Sequence, residues 1–185
     1  MLALQIHLTM PPWIGEIADE HRLYLSDEER VGLAVELARR NIEHGLGGPF
    51  GAAIFNAAGR LVSVGVNRVV RQACSVAHAE MMAYMSAQQR LGSHRLNAEG
   101  GRYILATSAQ PCCQCYGATI WAGIDELLIG ARASDVEELA GFDEGPLPTD
   151  WRGELEKRGI AVRQDIARDA SRAVLAAYGA AGQVY

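Results

Sequence analysis

Two short stretches of this 185-residue chain concentrate side chains that bind metals and move protons: His78-Ala79-Glu80 and Pro111-Cys112-Cys113-Gln114-Cys115. Cys112 and Cys115 stand three apart, so a helix puts both sulfurs on one face, where they can grip one ion. With the His78 imidazole they make three protein ligands, and zinc held by three ligands keeps its fourth tetrahedral corner for water, as catalytic sites do. A helix N-terminus favours thiolate at both cysteines. The ion, two thiolates and a neutral imidazole come close to neutral, and such an ion brings the pKa of bound water from 15.7 toward about 7.

Glu80, two positions past His78, reaches that water and an incoming ring without binding the metal. A carboxylate there takes the water proton, hands it to a ring nitrogen and protonates a departing amine, the mechanism written into the zinc-deaminase signature H-x-E…P-C-x-x-C. Two other readings use the same residues. A closed structural zinc site would need Cys113 as fourth ligand, but one position from Cys112 it points off the shared face. A redox Cys112–Cys115 pair leaves His78-Ala79-Glu80 unexplained. Cys113 and Cys74 read as small buried apolar residues.

The elements that must place these groups alternate along the chain. Leu2, Leu4, Ile6 and Leu8 alternate with polar or small residues, which predicts a short peripheral strand ended by Pro11-Pro12. Ser26 and Glu29 form a capping box ahead of a helix carrying Val31, Ala34, Val35, Ala38 and Ile42, stopped by Gly45. Strands follow at 52–55 and 61–66 around a turn at 56–59. A helix over about 77–91 closes on Gly92, and a strand runs near 103–107. Pro111 sits where a first helical turn accepts it, opening a helix over 112–121. A strand at 126–129, a helix at 135–140, a loop at 141–150, a helix near 151–158, a strand at 160–163 and a helix over 167–178 complete the chain. One α/β domain with a mixed sheet covered on both faces results.

Composition narrows the function classes. Seventeen basic against 22 acidic residues give a net charge of −5, and no basic run exceeds two, so no surface tracks phosphates and no nucleic-acid partner is expected. No apolar stretch reaches the roughly 18 residues of a membrane span, and residues 1–10 lack a basic region and cleavage pattern, so neither membrane nor secretion is expected. Three cysteines within four positions suit metal chemistry in a reducing, cytoplasmic setting rather than a disulfide framework.

The chain resembles the cytidine-deaminase-like superfamily of zinc hydrolases, and within it the bacterial guanine deaminases. The similarity runs over about 47–150. It is carried by Gly47-Gly48-Pro49-Phe50-Gly51-Ala52, Gly65-Val66-Asn67, His78-Ala79-Glu80, Ser108-Ala109-Gln110-Pro111-Cys112-Cys113-Gln114-Cys115 and Gly141-Phe142-Asp143-Glu144. The resemblance implies a three-layer α/β/α sandwich around a central mixed sheet of about five strands, spanning 1–185, with residues 1–25 an N-terminal extension and about 165–185 a C-terminal helix and lid. It implies zinc on His78, Cys112 and Cys115, with Glu80 as proton shuttle. It also implies that Asn67 hydrogen-bonds a purine, that Phe50, Phe142 and Asp143 lie at the ring, and that Glu144 meets guanine N–H groups and helps move protons. Tyr185 would lid the pocket, in a homodimer that can exchange its C-terminal segment.

Plainer roles stand beside these: Glu144 a solvated loop acid, Asn67 a turn residue, Phe50 and Phe142 core rings, Tyr185 a loose chain end. Gln110 replaces the family's usual Glu, and with the longer N-terminus it bears on the substrate more than on the reaction. The expected activity is hydrolytic deamination of a free nucleobase, guanine to xanthine and ammonia. Cytosine or an amino-s-triazine as substrate, tRNA adenosine deamination and a zinc-stapled interaction protein are the alternatives.

Overall fold

The computed structural model describes residues 2, 4–45 and 47–182. Its centre is a five-stranded sheet of β1 (Gly51–Asn56), β2 (Leu61–Val66), β3 (Tyr103–Ala109), β4 (Glu126–Ala131) and β5 (Ala161–Arg163), in spatial order β2-β1-β3-β4-β5. β1 pairs antiparallel with both β2 and β3, while β3–β4 and β4–β5 are parallel, so the sheet is mixed. The β1–β2 hairpin is closed by Asn56, whose Oδ1 accepts the N–H groups of Ala58 and Arg60, and by Gly59 at φ +78°.

Helices cover both faces. α1 (Ile14–Ile17) is one short turn, and α2 (Asp27–Glu43) begins with the Ser26/Glu29 capping box. α3 (Val69–Gln72) is short, and α4 (Ala79–Leu91) ends on Gly92 at φ +65°. α5 (Cys113–Ala122), α6 (Ala133–Ala140), α7 (Trp151–Glu156) and α8 (Arg168–Ala180) follow. Successive strand side chains point to opposite faces. Ala53, Phe55, Ile104, Ala106 and Leu128 therefore pack with Val31 and Leu37 of α2 and Val174 of α8. Ala52, Ile54, Leu105, Leu127 and Ile129 pack with Ala79 and Ala83 of α4, Ala122 of α5 and Leu155 of α7. The result is the expected three-layer α/β/α sandwich.

Glycines let two helices lie close on this sheet. A Cβ on Gly51 would stand 2.2 Å from Ala34 O of α2, and one on Gly65 only 1.9 Å from Ala79 O of α4. The second contact seats the start of α4, which carries His78 and Glu80.

Several expectations are corrected. Residues 4–10 join no strand. Alternation marks a strand only where a sheet edge takes one face, and here Leu4 and Ile6 are 91% and 83% exposed. α3 was not read from the sequence because four residues carry too little periodicity. Pro111 precedes the N-cap Cys112 rather than standing inside the first turn of α5. Cys113 is exposed and Cys74 half-buried, so neither is a core residue. The helix expected over 167–178 is present as α8 and packs on α2, α6 and β4. Tyr185 lies outside the described residues.

Candidate active site

The two chemical stretches meet because each supplies the N-cap of a helix. His78 is the N-cap of α4 and Cys112 the N-cap of α5, both with extended backbone (ψ 162° and 174°). Cys115 follows on the first turn of α5 and is fully buried. His78 Nδ1 lies 3.4 Å from Cys112 Sγ and 3.6 Å from Cys115 Sγ. All three ligand atoms fall within 4.8 Å of one another. Behind them the Thr119 hydroxyl donates to the Cys115 carbonyl (2.8 Å) and shares a 2.7 Å hydrogen bond with the Tyr84 hydroxyl, fixing the helix turn that carries the sulfur.

The donor set fits zinc. One imidazole and two thiols converge at helix starts that favour thiolate. The Cys112 thiol is pushed down to about 4, chiefly by hydrogen bonding from Cys115 and, against the cost of burial, from His78. The Cys112 sulfur in turn raises His78. Cys115 is driven the other way by its hydrogen bond to Cys112 and by burial. Acidic groups crowd this spot. Glu80, 6% exposed, is pushed up to about 7 by burial and then by Cys112. Glu144, 8% exposed, is pushed up to about 8 by burial, then by Cys112 and Glu80. A divalent cation among the sulfurs relieves this crowding of negative charge.

A cavity of about 190 Å3 opens on the cluster, lined by His78, Cys112 and Glu80 together with Phe50, Asn67, Phe142, Asp143 and Glu144. The structure thus brings together every site residue expected from the sequence among those it describes, with Cys115 buried behind the wall. Phe50 and Phe142 meet edge to face at 5.2 Å. Asn67 Oδ1 accepts the N–H groups of Gly48 and Val69 (both 3.3 Å), so its oxygen is engaged by backbone. Asp143 Oδ1 accepts the Gly145 N–H at 2.8 Å.

Two contributors escape the sequence reading of the site. Asn41 is fully buried and its Nδ2 donates to the carbonyls of Gly48 and Asn67, clamping two wall segments. Tyr178 of α8 stacks on Phe142 at 5.7 Å. Both depend on chain segments far apart in sequence, which no local motif records. Gln110 was singled out only as a departure from the family pattern. It also lines the cavity, and its Oε1 accepts the Ala133 N–H at the start of α6 (3.4 Å).

Fold and site together define a zinc hydrolase of the deaminase class. Residues 25–131 match the cytidine and deoxycytidylate deaminase zinc-binding region, and the chain belongs to that family. Among individual relatives, it is 36% identical to guanine deaminase of Bacillus subtilis over 140 residues, covering 76% of this chain and 86% of that one. The structure described as guanine deaminase from Nitrosomonas europaea superposes with a TM-score of 0.91 at 44% identity, over 97% of this chain and 99% of that one. A variant of the protein NE0047 in complex with 8-azaguanine matches with a TM-score of 0.91 at 45% identity, over 96% and 98%.

Proposed function

We propose that this protein is a zinc-dependent aminohydrolase that converts guanine and water to xanthine and ammonia. The observation that carries the reading is the convergence of His78, Cys112 and Cys115 within 4.8 Å at a cavity that also holds Glu80 and Glu144. Overlap with proteins named guanine deaminase, near-complete for the Nitrosomonas europaea structure, supports guanine over other amino-heterocycles. So does 8-azaguanine, a guanine analogue, bound to one structural neighbour.

When bound, zinc supplies a Lewis acid that brings a water toward deprotonation near neutral pH. His78, Cys112 and Cys115 would hold it. Glu80 accepts one proton from the attacking water and delivers it to the ring nitrogen beside C2, then takes the second from the hydroxyl now on C2 and hands it to the amine, which leaves as ammonia. Glu144 faces the donor edge of guanine, where N1–H and the exocyclic amine need an acceptor. Phe50 and Phe142, packed edge to face on each other, offer the flat ring one apolar wall. At about 190 Å3 the cavity is smaller than the roughly 300–1,000 Å3 of pockets for larger ligands, which favours a free base over a nucleotide.

Charge supports the same choice, because a net charge of −5 opposes binding to a polyanion. No helix among the described residues is long and apolar enough to cross a membrane. We read the protein as cytoplasmic, as one functional unit over 1–185 and as a homodimer. Ammonia release by the zinc-loaded protein across guanine, cytosine, adenine, aminotriazines and tRNA tests the reading. The expected result is the highest kcat/KM on guanine. Turnover of none of them, or faster turnover of another, overturns it.

A further inference from the structure

Glu144 sits in a loop with no regular structure, yet its carboxyl is almost completely buried. Two contacts explain how such a loop holds one position. The Glu144 carbonyl accepts the N–H of Cys113 at 2.9 Å, and Cys113 is the first residue of α5, directly after the metal-side Cys112. The next residue, Gly145, has φ +67°, and a Cβ added there would stand 2.6 Å from Cys113 Sγ. The backbone at the acid and just after it is thus fitted to one residue of the metal-binding helix. Cys113, an exposed residue with no part in ligation, thereby acquires a role.

We propose that Cys113 and Gly145 are positioning residues: together they latch the Glu144 loop to the start of α5, so that the acid and the metal keep a fixed separation. The proposal rests on the reading of Glu144 as a substrate-facing acid. Only glycine satisfies both demands at position 145, since an L side chain is strained at that backbone angle and its Cβ meets the sulfur.

The test is Gly145→Ala in the full-length, zinc-loaded protein, alone and in a Cys113→Ala background. The added methyl displaces the loop, and a misplacement near 1 Å costs up to about a hundredfold in rate, so kcat/KM on guanine is expected to fall between about 10- and 100-fold with zinc content retained. Removing the sulfur makes room, since the next nearest atom of Cys113 is its Cβ at 3.4 Å. In that background the clash with the sulfur is gone and only the backbone strain at φ +67° remains, so the same substitution is expected to cost a smaller fold-loss than it does alone, a coupling that general destabilisation would not produce. Equal losses in both backgrounds, or no loss, overturn the latch.

A crystal structure of the Gly145→Ala protein reads the same point without turnover. A displaced Glu144 carboxyl supports the latch, and a carboxyl left in place overturns it even if the wild-type protein proves inactive on guanine, which would count against the proposed function alone.

Discussion

Glu144 and Glu80 are both buried acids facing one small cavity, and the account gives them different work. In the proposed reaction Glu144 recognises the ring, so Glu144→Gln, which keeps the shape but swaps one acceptor oxygen for a donor amide, should lower kcat/KM on guanine by about 100-fold or more while zinc stays bound. Steady-state kinetics with metal analysis checks this, and a loss under about threefold would leave Glu144 a bystander. The ligands were legible in the sequence because coordination fixes both residue type and spacing: His78 with Glu80 two positions on, and Cys112 with Cys115 three on, can be read without a fold. The Asn41 clamp and the Tyr178 ring behind Phe142 could not, because an amide or an aromatic ring announces no partner until two distant segments meet.

Among the elements, the start of α4 depends on its fit against β2. Gly65→Ala would drive a methyl into the Ala79 carbonyl, 1.9 Å from the ideal Cβ, and move the turn that carries His78 and Glu80. Overpacking of this kind costs about 1–3 kcal/mol, and denaturant unfolding should show a loss in that range or above, with zinc affinity reduced as well. The junction of α6 with α8 depends on Asp135, whose side chain is 2% exposed and pairs with Arg168 at 2.7 Å and with Arg172. These guanidiniums, Arg168 foremost, hold the Asp135 carboxyl well below the usual carboxylate range. A carboxyl lowered in the folded state contributes stability that is fully present above its unfolded pKa of about 3.9 and is lost as pH falls toward the folded value. Asp135→Asn should therefore cost about 3 kcal/mol at pH 7, with the gap to wild type closing below about pH 4. Urea titrations at several pH values check it, and a gap that does not change with pH would contradict it. At this scale the sequence was readable where a local rule sets an end, as at the Ser26/Glu29 box and the Gly92 stop. It misled at residues 4–10, where alternation specified a strand without naming a sheet edge to receive it.

For the molecule as a whole, the three layers converge two helix starts on one point, and the hydrolase chemistry follows from what stands there. Removing zinc should uncouple those starts. Because an ion that binds only the folded state stabilises it by mass action, chelation is expected to lower the melting temperature, and restored zinc to return it. An unchanged melting temperature would mean that the three side chains do not hold the ion. In the proposed reaction Glu80 moves the protons, while His78, Cys112 and Cys115 only hold the metal. Guanine turnover and zinc content measured side by side in wild type and Glu80→Gln test it most directly. Equal zinc in the two proteins and a rate lower by about 10²–10⁴-fold in the variant are expected. A zinc-loaded Glu80→Gln protein that releases ammonia from guanine at close to the wild-type rate would contradict it.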